Sequence, residues 1–179
     1  LRSGGAALLV GLLMLARRDR LSVVNGTWRA GLLVALLFGV EFWLVGEGLR
    51  HTSAAHMVVF LYTAPIFAAL GLHWRLAAER LTALQWLGIA LAFLGLALAF
   101  FGRGAAPGPA NGNMLWGDFL GLMGGMAWGA TTVVVRSTAL ARAPATETLM
   151  YQLVGAFVLL MAVALSTGQA HVNFTAQVV

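Results

Sequence analysis

Long apolar runs separated by short polar turns dominate the chain. A helix that crosses the hydrocarbon core of a bilayer needs about 20 consecutive residues that are mainly apolar. Five runs meet this requirement: residues 30–49, 52–74, 83–102, 114–135 and 148–166. A shorter sixth run, at 3–16, is interpreted as the remainder of another helix. The pattern predicts an all-α integral membrane protein, a multi-span bundle with about six helices in this chain.

Composition narrows the functional classes. The 179 residues are 60% hydrophobic and only 9% charged, whereas a soluble domain is about 45–50% apolar and about 25% charged. A soluble enzyme and a nucleic-acid-binding protein are therefore excluded. The chain has no cysteine and four scattered histidines, so we predict neither a metal site nor a cofactor.

The polar segments between the runs contain signals for helix ends. Thr82 and Gln85 have the spacing of a capping box, and Asn113 is placed to cap the helix that follows it. Asp118 falls in the first turns of that helix, where a negative charge meets the helix dipole favourably. Residues 103–113 form a linker rich in glycine and proline and are the best internal boundary.

The arginines predict an orientation. If the first full helix starts in the cytoplasm, eight arginines lie on the cytoplasmic side: Arg17, Arg18, Arg20, Arg29, Arg75, Arg80, Arg136 and Arg142. Three lie on the other side: Arg2, Arg50 and Arg103. Cytoplasmic loops carry the excess of positive charge, so the net charge of +5 is explained mainly by topology.

Glu41 is the first candidate for chemistry. It precedes the polar boundary at Arg50 and His51 by about nine residues, or about 14 Å along a helix, which is near the bilayer midplane. An ionisable group at this depth has a high free-energy cost and indicates a functional site. The alternative is a neutral glutamic acid that donates a hydrogen bond to a neighbouring helix. Glu47 lies closer to the boundary and is predicted to be interfacial.

A polar stripe follows on the 52–74 helix. At 100° per residue, six side chains fall within a sector of about 100°: Thr52, Ser53, His56, Phe60, Thr63 and Phe67. In a bilayer such a stripe faces protein or a water-filled cavity. His56 is thus a candidate for substrate binding or proton relay, or else a structural hydrogen-bonding group. Pro65 is expected to kink the helix.

Glycines spaced four apart mark one face of the 114–135 helix, at Gly117, Gly121, Gly125 and Gly129. Such a face allows close helix packing, and a helix that slides in a transporter would use the same surface. Trp128 lies on this helix and either stacks on a substrate or packs between helices.

Two stretches carry a resemblance to a known family. Residues 51–70 read HTSAAHMVVFLYTAPIFAAL and residues 79–88 read ERLTALQWLG. Together they resemble the end of one repeat of the EamA-type drug/metabolite transporters. The segment from Gly117 and Asp118 through Trp128 to Arg136 similarly resembles the opening helix of the second repeat.

The resemblance implies ten helices in two inverted five-helix repeats, a central substrate cavity and cytoplasmic termini. This chain would supply helices two to five in residues 1–102, the 103–113 linker, and helices six and seven in residues 114–179. A weak internal match of residues 1–15 to residues 151–165 is in keeping with inverted repeats. The other helices of a longer chain would then be partners of this fragment. The family supplies no universal catalytic residue.

These observations predict a multi-pass transporter of the bacterial inner membrane that exports a small metabolite or amino acid by alternating access. Glu41 is the predicted proton or cationic-substrate site, and His56, Phe60, Thr63 and Trp128 line the path. Predicted partners are the small-molecule substrate, the lipid bilayer and a second copy of the chain, without nucleic acid. We predict no enzymatic activity.

Two other classes stay open. A structural or assembly subunit would dock through the glycine face at 117–129. A membrane-embedded lipid enzyme would need histidines or acids clustered at one membrane face, and the sequence shows no such local cluster.

Overall fold

A computed structural model describes residues 2–17, 27–101 and 113–168, and all regular structure within these ranges is helical. The helices are α1 (Arg2–Arg17), α2 (Trp28–Gly48), α3 (Ala54–Leu61), α4 (Ala64–Arg75), α5 (Ala83–Phe101), α6 (Met114–Ser137) and α7 (Ala145–Ser166). Short 3₁₀ turns at Ala77–Glu79 and Ala139–Arg142 follow α4 and α6. Apart from Asn113, the predicted linker lies outside the described residues.

The helices follow the apolar runs. Within the described residues, four spans are long and apolar enough to cross a membrane: α2, the pair α3–α4 taken together, α6 and α7. The apolar stretches described for α1 and α5 are shorter. Since each of the six predicted runs contains helix, the prediction of an all-α multi-span protein is confirmed.

The 52–74 span is interrupted just ahead of Pro65. We expected this proline to kink the helix, and α3 ends at Leu61 while α4 begins at Ala64. Proline has no N–H to donate, and its ring clashes with the carbonyl four residues earlier, so the helical bonding pattern stops ahead of it. At this break, the Thr63 hydroxyl donates a hydrogen bond to the carbonyl of Phe60 at 2.6 Å.

Both predicted helix caps are present. The backbone N–H of Thr82 donates to Oε1 of Gln85 at 2.8 Å, and the N–H of Gln85 donates to the Thr82 hydroxyl at 3.4 Å. At the start of α6, the N–H of Trp116 donates to Oδ1 of Asn113 at 3.3 Å. These bonds satisfy backbone donors that have no partner within the helix.

Glycines allow α7 to pack closely against α1 and α2. A Cβ at Gly31 of α2 would lie 2.6 Å from the Tyr151 ring. On α1, a Cβ at Gly4 would lie 2.9 Å from the Phe157 ring and one at Gly11 would lie 3.2 Å from Met150. Because the contacts on α7 move towards its start as those on α1 advance, the two helices are antiparallel.

The α6 helix packs on one side against α2 and on another against α3 and α4. We call its first-turn end, together with the end of α2 and the start of α3, the Asp118 end. The opposite end, where α6 and α4 finish and the turn Ala77–Glu79 lies, is the Glu79 end. These two names fix positions along the bundle without reference to a side of the membrane.

Candidate functional site

A buried carboxylate joins α6 to the start of α3. The Asp118 side chain is 5% exposed. Its Oδ1 accepts a hydrogen bond from the Thr52 hydroxyl at 2.6 Å, and its Oδ2 lies 3.3 Å from Nδ1 of His56. We call these three side chains the Asp118 cluster. A hydrogen bond to a charged group is stronger than one between neutral groups, so the cluster fixes the ends of two helices relative to each other.

Local structure explains why the three side chains meet. The Ser53 hydroxyl accepts from the N–H of His56 at 3.3 Å and caps α3, so Thr52 and His56 lie on either side of the helix start. On the facing helix, a Cβ at Gly117 would lie 2.7 Å from the backbone nitrogen of Thr52. Only a residue without a side chain lets the backbones approach so closely, and this approach brings Asp118 within reach of α3.

The order of the bonds limits the chemistry of the cluster. The Thr52 hydroxyl donates to the carboxylate rather than to the imidazole. Catalysis by a hydroxyl nucleophile requires the hydroxyl to face the base and the base to face the acid, and this cluster is arranged differently. Its arrangement suits the fixing of two helices.

Glu41 lies deeper, between α2 and α6. It is 7% exposed, and its backbone carbonyl lies 3.9 Å from the position that a Cβ at Gly124 would take. Its Oε2 has no hydrogen-bond partner among the described residues. Burial of a carboxyl oxygen without a partner costs free energy. Glu41 is therefore a candidate functional residue rather than one that only fills space.

A cavity of about 550 Å³ opens at the Glu79 end. Its apolar lining includes Pro65, Ala69 and Leu72 from α4, and Trp128 comes from α6. The Trp128 side chain is 37% exposed, and its ring centroid is 6.2 Å from that of Tyr62. The break between α3 and α4 therefore lies beside the cavity.

Charged and polar groups complete the wall of this cavity. They are Glu79, Arg80, Gln85, Thr132 and Arg136. Glu79 and Arg136 form an ion pair, and the same two residues line a second cavity of about 630 Å³ beside the start of α7. The ion pair therefore stands between the two cavities.

The residues predicted to line one path lie in separate places. Trp128 lines the cavity, and Glu41 is buried on α2 with its backbone carbonyl near Gly124 of α6. His56 belongs to the Asp118 cluster. Phe60 and Thr63 face the glycines of α6: a Cβ at Gly121 would lie 3.1 Å from Cβ of Phe60, and one at Gly125 would lie 2.7 Å from Oγ1 of Thr63.

The glycine face of α6 thus meets the polar stripe of the neighbouring span. At the fourth glycine, a Cβ at Gly129 would lie 2.7 Å from Cβ of Phe67 and 2.9 Å from the carbonyl of Ala64. The face at 117–129, which an assembly subunit would use for docking, is occupied within the chain.

Sequence reasoning missed Asp118, Thr52, Glu79 and Arg136 as members of polar sites. It assigns Thr52 to the polar stripe and Asp118 to the helix dipole, without a link between them. One signal was available: both residues fall at the starts of spans that run in the same direction, and therefore at the same end of the bundle. Helical periodicity alone does not show which faces meet.

Several apolar helices, a buried carboxylate and a polar cavity at one end define a multi-pass, all-α membrane protein. Residues 1–101 match the EamA-like transporter family, which is more than half of the 179 residues. The chain belongs to this family and is a membrane transporter of the drug/metabolite kind. No curated protein and no solved structure matches it.

Proposed function

We propose that the protein exports a small metabolite, such as an amino acid, by alternating access, with the cavity at the Glu79 end as the substrate entrance. One observation carries this proposal. The interface of α6 with α3 and α4 is joined by a buried cluster at one end and opens into a cavity at the other. A transporter that is closed on one side and open on the other has this form. The linker at 103–113 would divide two EamA repeats.

The cavity lining supports a small amphiphilic substrate. Its volume of about 550 Å³ falls in the range of about 300–1,000 Å³ that is usual for ligand pockets. Trp128 and Pro65 offer apolar contact, while Arg80, Arg136 and Glu79 offer charges of both signs. A metabolite with an apolar part and one or two charged groups would match this wall.

The arginines support an orientation in which the cavity faces the cytoplasm. Arg75, Arg80, Arg136 and Arg142 lie at the Glu79 end, and the excess of arginine favours the cytoplasmic side. In a bacterial inner membrane, the cavity would therefore load from the cytoplasm, and the opposite opening would release substrate outside. We propose transport without catalysis, metal or cofactor.

Transport by purified full-length protein in liposomes tests the role of the cavity. The liposomes would be loaded with a pool of small metabolites, and efflux would be measured by mass spectrometry. Trp128→Ala should reduce flux of any transported metabolite about tenfold or more, because apolar contact in the cavity is lost. Trp116→Ala is the control, since Trp116 is on the same helix but outside the cavity. Equal flux in both variants would refute the assignment.

A second experiment tests Glu41 as the coupling group. Glu41→Gln keeps the shape of the side chain but cannot carry a proton as an acid, so flux driven by a pH gradient should be lost while exchange of substrate without a gradient persists. Glu47→Gln is the matched control, because Glu47 lies on the same helix and pairs with Arg50 and His51. Unchanged gradient-driven flux in Glu41→Gln would rule out the coupling role.

A further inference from the structure

We propose that the cavity at the Glu79 end selects an apolar organic anion, and that Arg80 is the residue that recognises its carboxylate. This role of Arg80 rests on the function proposed above, because it names the class of substrate for the same cavity. The class consists of carboxylic acids with an apolar body and no ammonium group. The test measures binding alone, so it does not depend on transport.

The charged groups of the cavity wall differ in whether they have a partner. Glu79 and Arg136 form an ion pair, so each of these two charges is already met by the other. Arg80 also lines the cavity, is exposed, and forms no ion pair with any carboxylate in the described ranges. The described wall therefore carries one unpaired positive charge and no unpaired negative charge.

Gln85 adds a hydrogen-bond donor to this wall. Its Oε1 accepts from the backbone N–H of Thr82 at 2.8 Å and from the Thr82 hydroxyl at 3.2 Å, which fixes the amide oxygen at the start of α5. The amide nitrogen carries two N–H donors and has no acceptor among the described residues. A guanidinium and an amide N–H in one wall match the acceptor oxygens of a carboxylate.

The remaining lining favours an apolar body without a positive charge. Trp128, Pro65 and Leu72 line the cavity, and an aromatic or aliphatic group can pack against them. The ammonium group of an amino acid would instead meet a wall whose described carboxylate is already bonded to Arg136. Because transfer of a charge out of water without a counter-charge costs free energy, an amino acid should bind more weakly than the corresponding simple acid.

Hydrogen bonds hold the turn that carries Arg80. Nδ1 of His73 accepts from the backbone N–H of Leu81 at 2.8 Å, and the N–H of Glu79 donates to the carbonyl of Leu76 at 3.0 Å. The residues on both sides of Arg80 are thus bonded to α4 or to the residue that ends it. A positioned backbone reduces the ordering that a ligand must impose when it binds.

Three probes separate charge from shape: 3-phenylpropionate, its neutral amide, and phenylalanine, which is the same acid with an added ammonium group. Binding to the purified full-length protein in lipid nanodiscs would be measured by isothermal titration calorimetry at neutral pH and low salt, with empty nanodiscs as the blank. We expect 3-phenylpropionate to bind roughly fivefold more tightly than either of the other probes, since an exposed charge pair contributes only modestly. Added salt should reduce this preference.

Variants assign the preference to a residue. Arg80→Gln should lower the affinity for 3-phenylpropionate roughly fivefold and leave that for the amide unchanged, whereas Arg80→Lys should keep most of the preference. Glu79→Gln should raise the affinity for the anion, because it releases Arg136 from its ion pair. Arg75→Gln is the matched control: Arg75 is exposed at the end of α4 but does not line the cavity, and this variant should bind all three probes like the unmodified protein.

The results that overturn the role of Arg80 differ from those that overturn the proposed function. Equal affinities for the anion and the amide, or tighter binding of phenylalanine, would refute the anion preference; if Trp128→Ala weakens that binding, the cavity still stands as the entrance. A preference that is unchanged in Arg80→Gln, or is reduced equally in Arg75→Gln, would refute the assignment to Arg80. If Arg80→Gln does not fold, weaker anion binding in Glu79→Gln or a preference insensitive to salt would refute it. Absence of binding of all three probes would contradict both proposals.

Discussion

The two ends of the α6 interface differ in how their polar groups meet. At the Asp118 end, a carboxylate with 5% exposure is bonded to Thr52 and His56 across closely packed backbones. At the Glu79 end, Glu79 pairs with Arg136, whose side chain is 54% exposed, and cavities lie on both sides of the pair.

This difference shows that the two ends of one helix can carry polar contacts of very different strength. Water screens an exposed ion pair, which contributes little net stability, while a buried hydrogen bond to a charge is costly to break. The glycines lie between these ends and let the helices approach closely. Such an interface has a buried polar contact at one end and an exposed ion pair at the other.

The largest loss of stability is expected at the centre of the interface. A methyl group at Gly125 would meet Oγ1 of Thr63 at 2.7 Å and the carbonyl of Phe60 at 2.8 Å, and the backbone carbonyl cannot rotate away. Gly125→Ala should therefore lower the free energy of unfolding by about 1–3 kcal/mol, as overpacking does. Denaturation in detergent micelles would measure this.

Gly46→Ala provides the control. Gly46 lies on α2, and no described atom lies within 4 Å of the position that a Cβ would take there, so the added methyl group meets open space. Its substitution should be neutral or raise the free energy of unfolding by up to about 1 kcal/mol through helix propensity. Equal losses in the two variants would mean that the α6 glycines are not needed for close packing.

An intermediate loss is expected at the Asp118 end. Thr52→Val keeps the size of the side chain but removes the hydroxyl that donates to Asp118. The free energy of unfolding should fall by about 1–1.5 kcal/mol, because a buried acceptor loses one of its two partners, and Thr131→Val, which removes a hydroxyl that donates within its own helix, should cost less. If Thr52→Val is as stable as the unmodified protein, the contact between the ends of α3 and α6 contributes no stability.

The smallest loss is expected at the Glu79 end. Arg136→Ala removes an ion pair that is largely exposed, so the free energy of unfolding should fall by less than about 1 kcal/mol. Flux should change more than stability, because the pair separates two cavities. Arg50→Ala, which removes another exposed pair, is the control and should leave flux unchanged. A large fall in the free energy of unfolding in Arg136→Ala would mean that the polar contacts at the two ends contribute similarly to stability.

The sequence predicts the helices well because each depends on local pattern. Apolar runs of membrane-spanning length become helices, and the caps at Thr82 and Asn113 need only groups three residues away. The interruption expected from Pro65 is present, and it lies at residues 62–63, just ahead of the proline. The loss of a proline N–H and the clash of its ring act on the preceding turn.

The sites depend on contacts that periodicity does not encode. Asp118 and Thr52 are 66 residues apart in the chain, and Arg136 and Glu79 are 57 apart. Both the polar stripe and the glycine face are visible as properties of single helices. That these two faces meet each other follows only from the packing of α6 against α3 and α4.

Chemical blocking of the cavity tests the central claim most directly. A cysteine at Thr132, which lines the cavity, would be alkylated with a bulky maleimide in full-length protein, and metabolite flux would be measured against the labelled fraction. A cysteine at Ala139, exposed at the same end but outside both cavities, is the control. We predict that flux falls in proportion to labelling at position 132 and is unchanged by labelling at position 139. Complete labelling at position 132 with undiminished flux would contradict it.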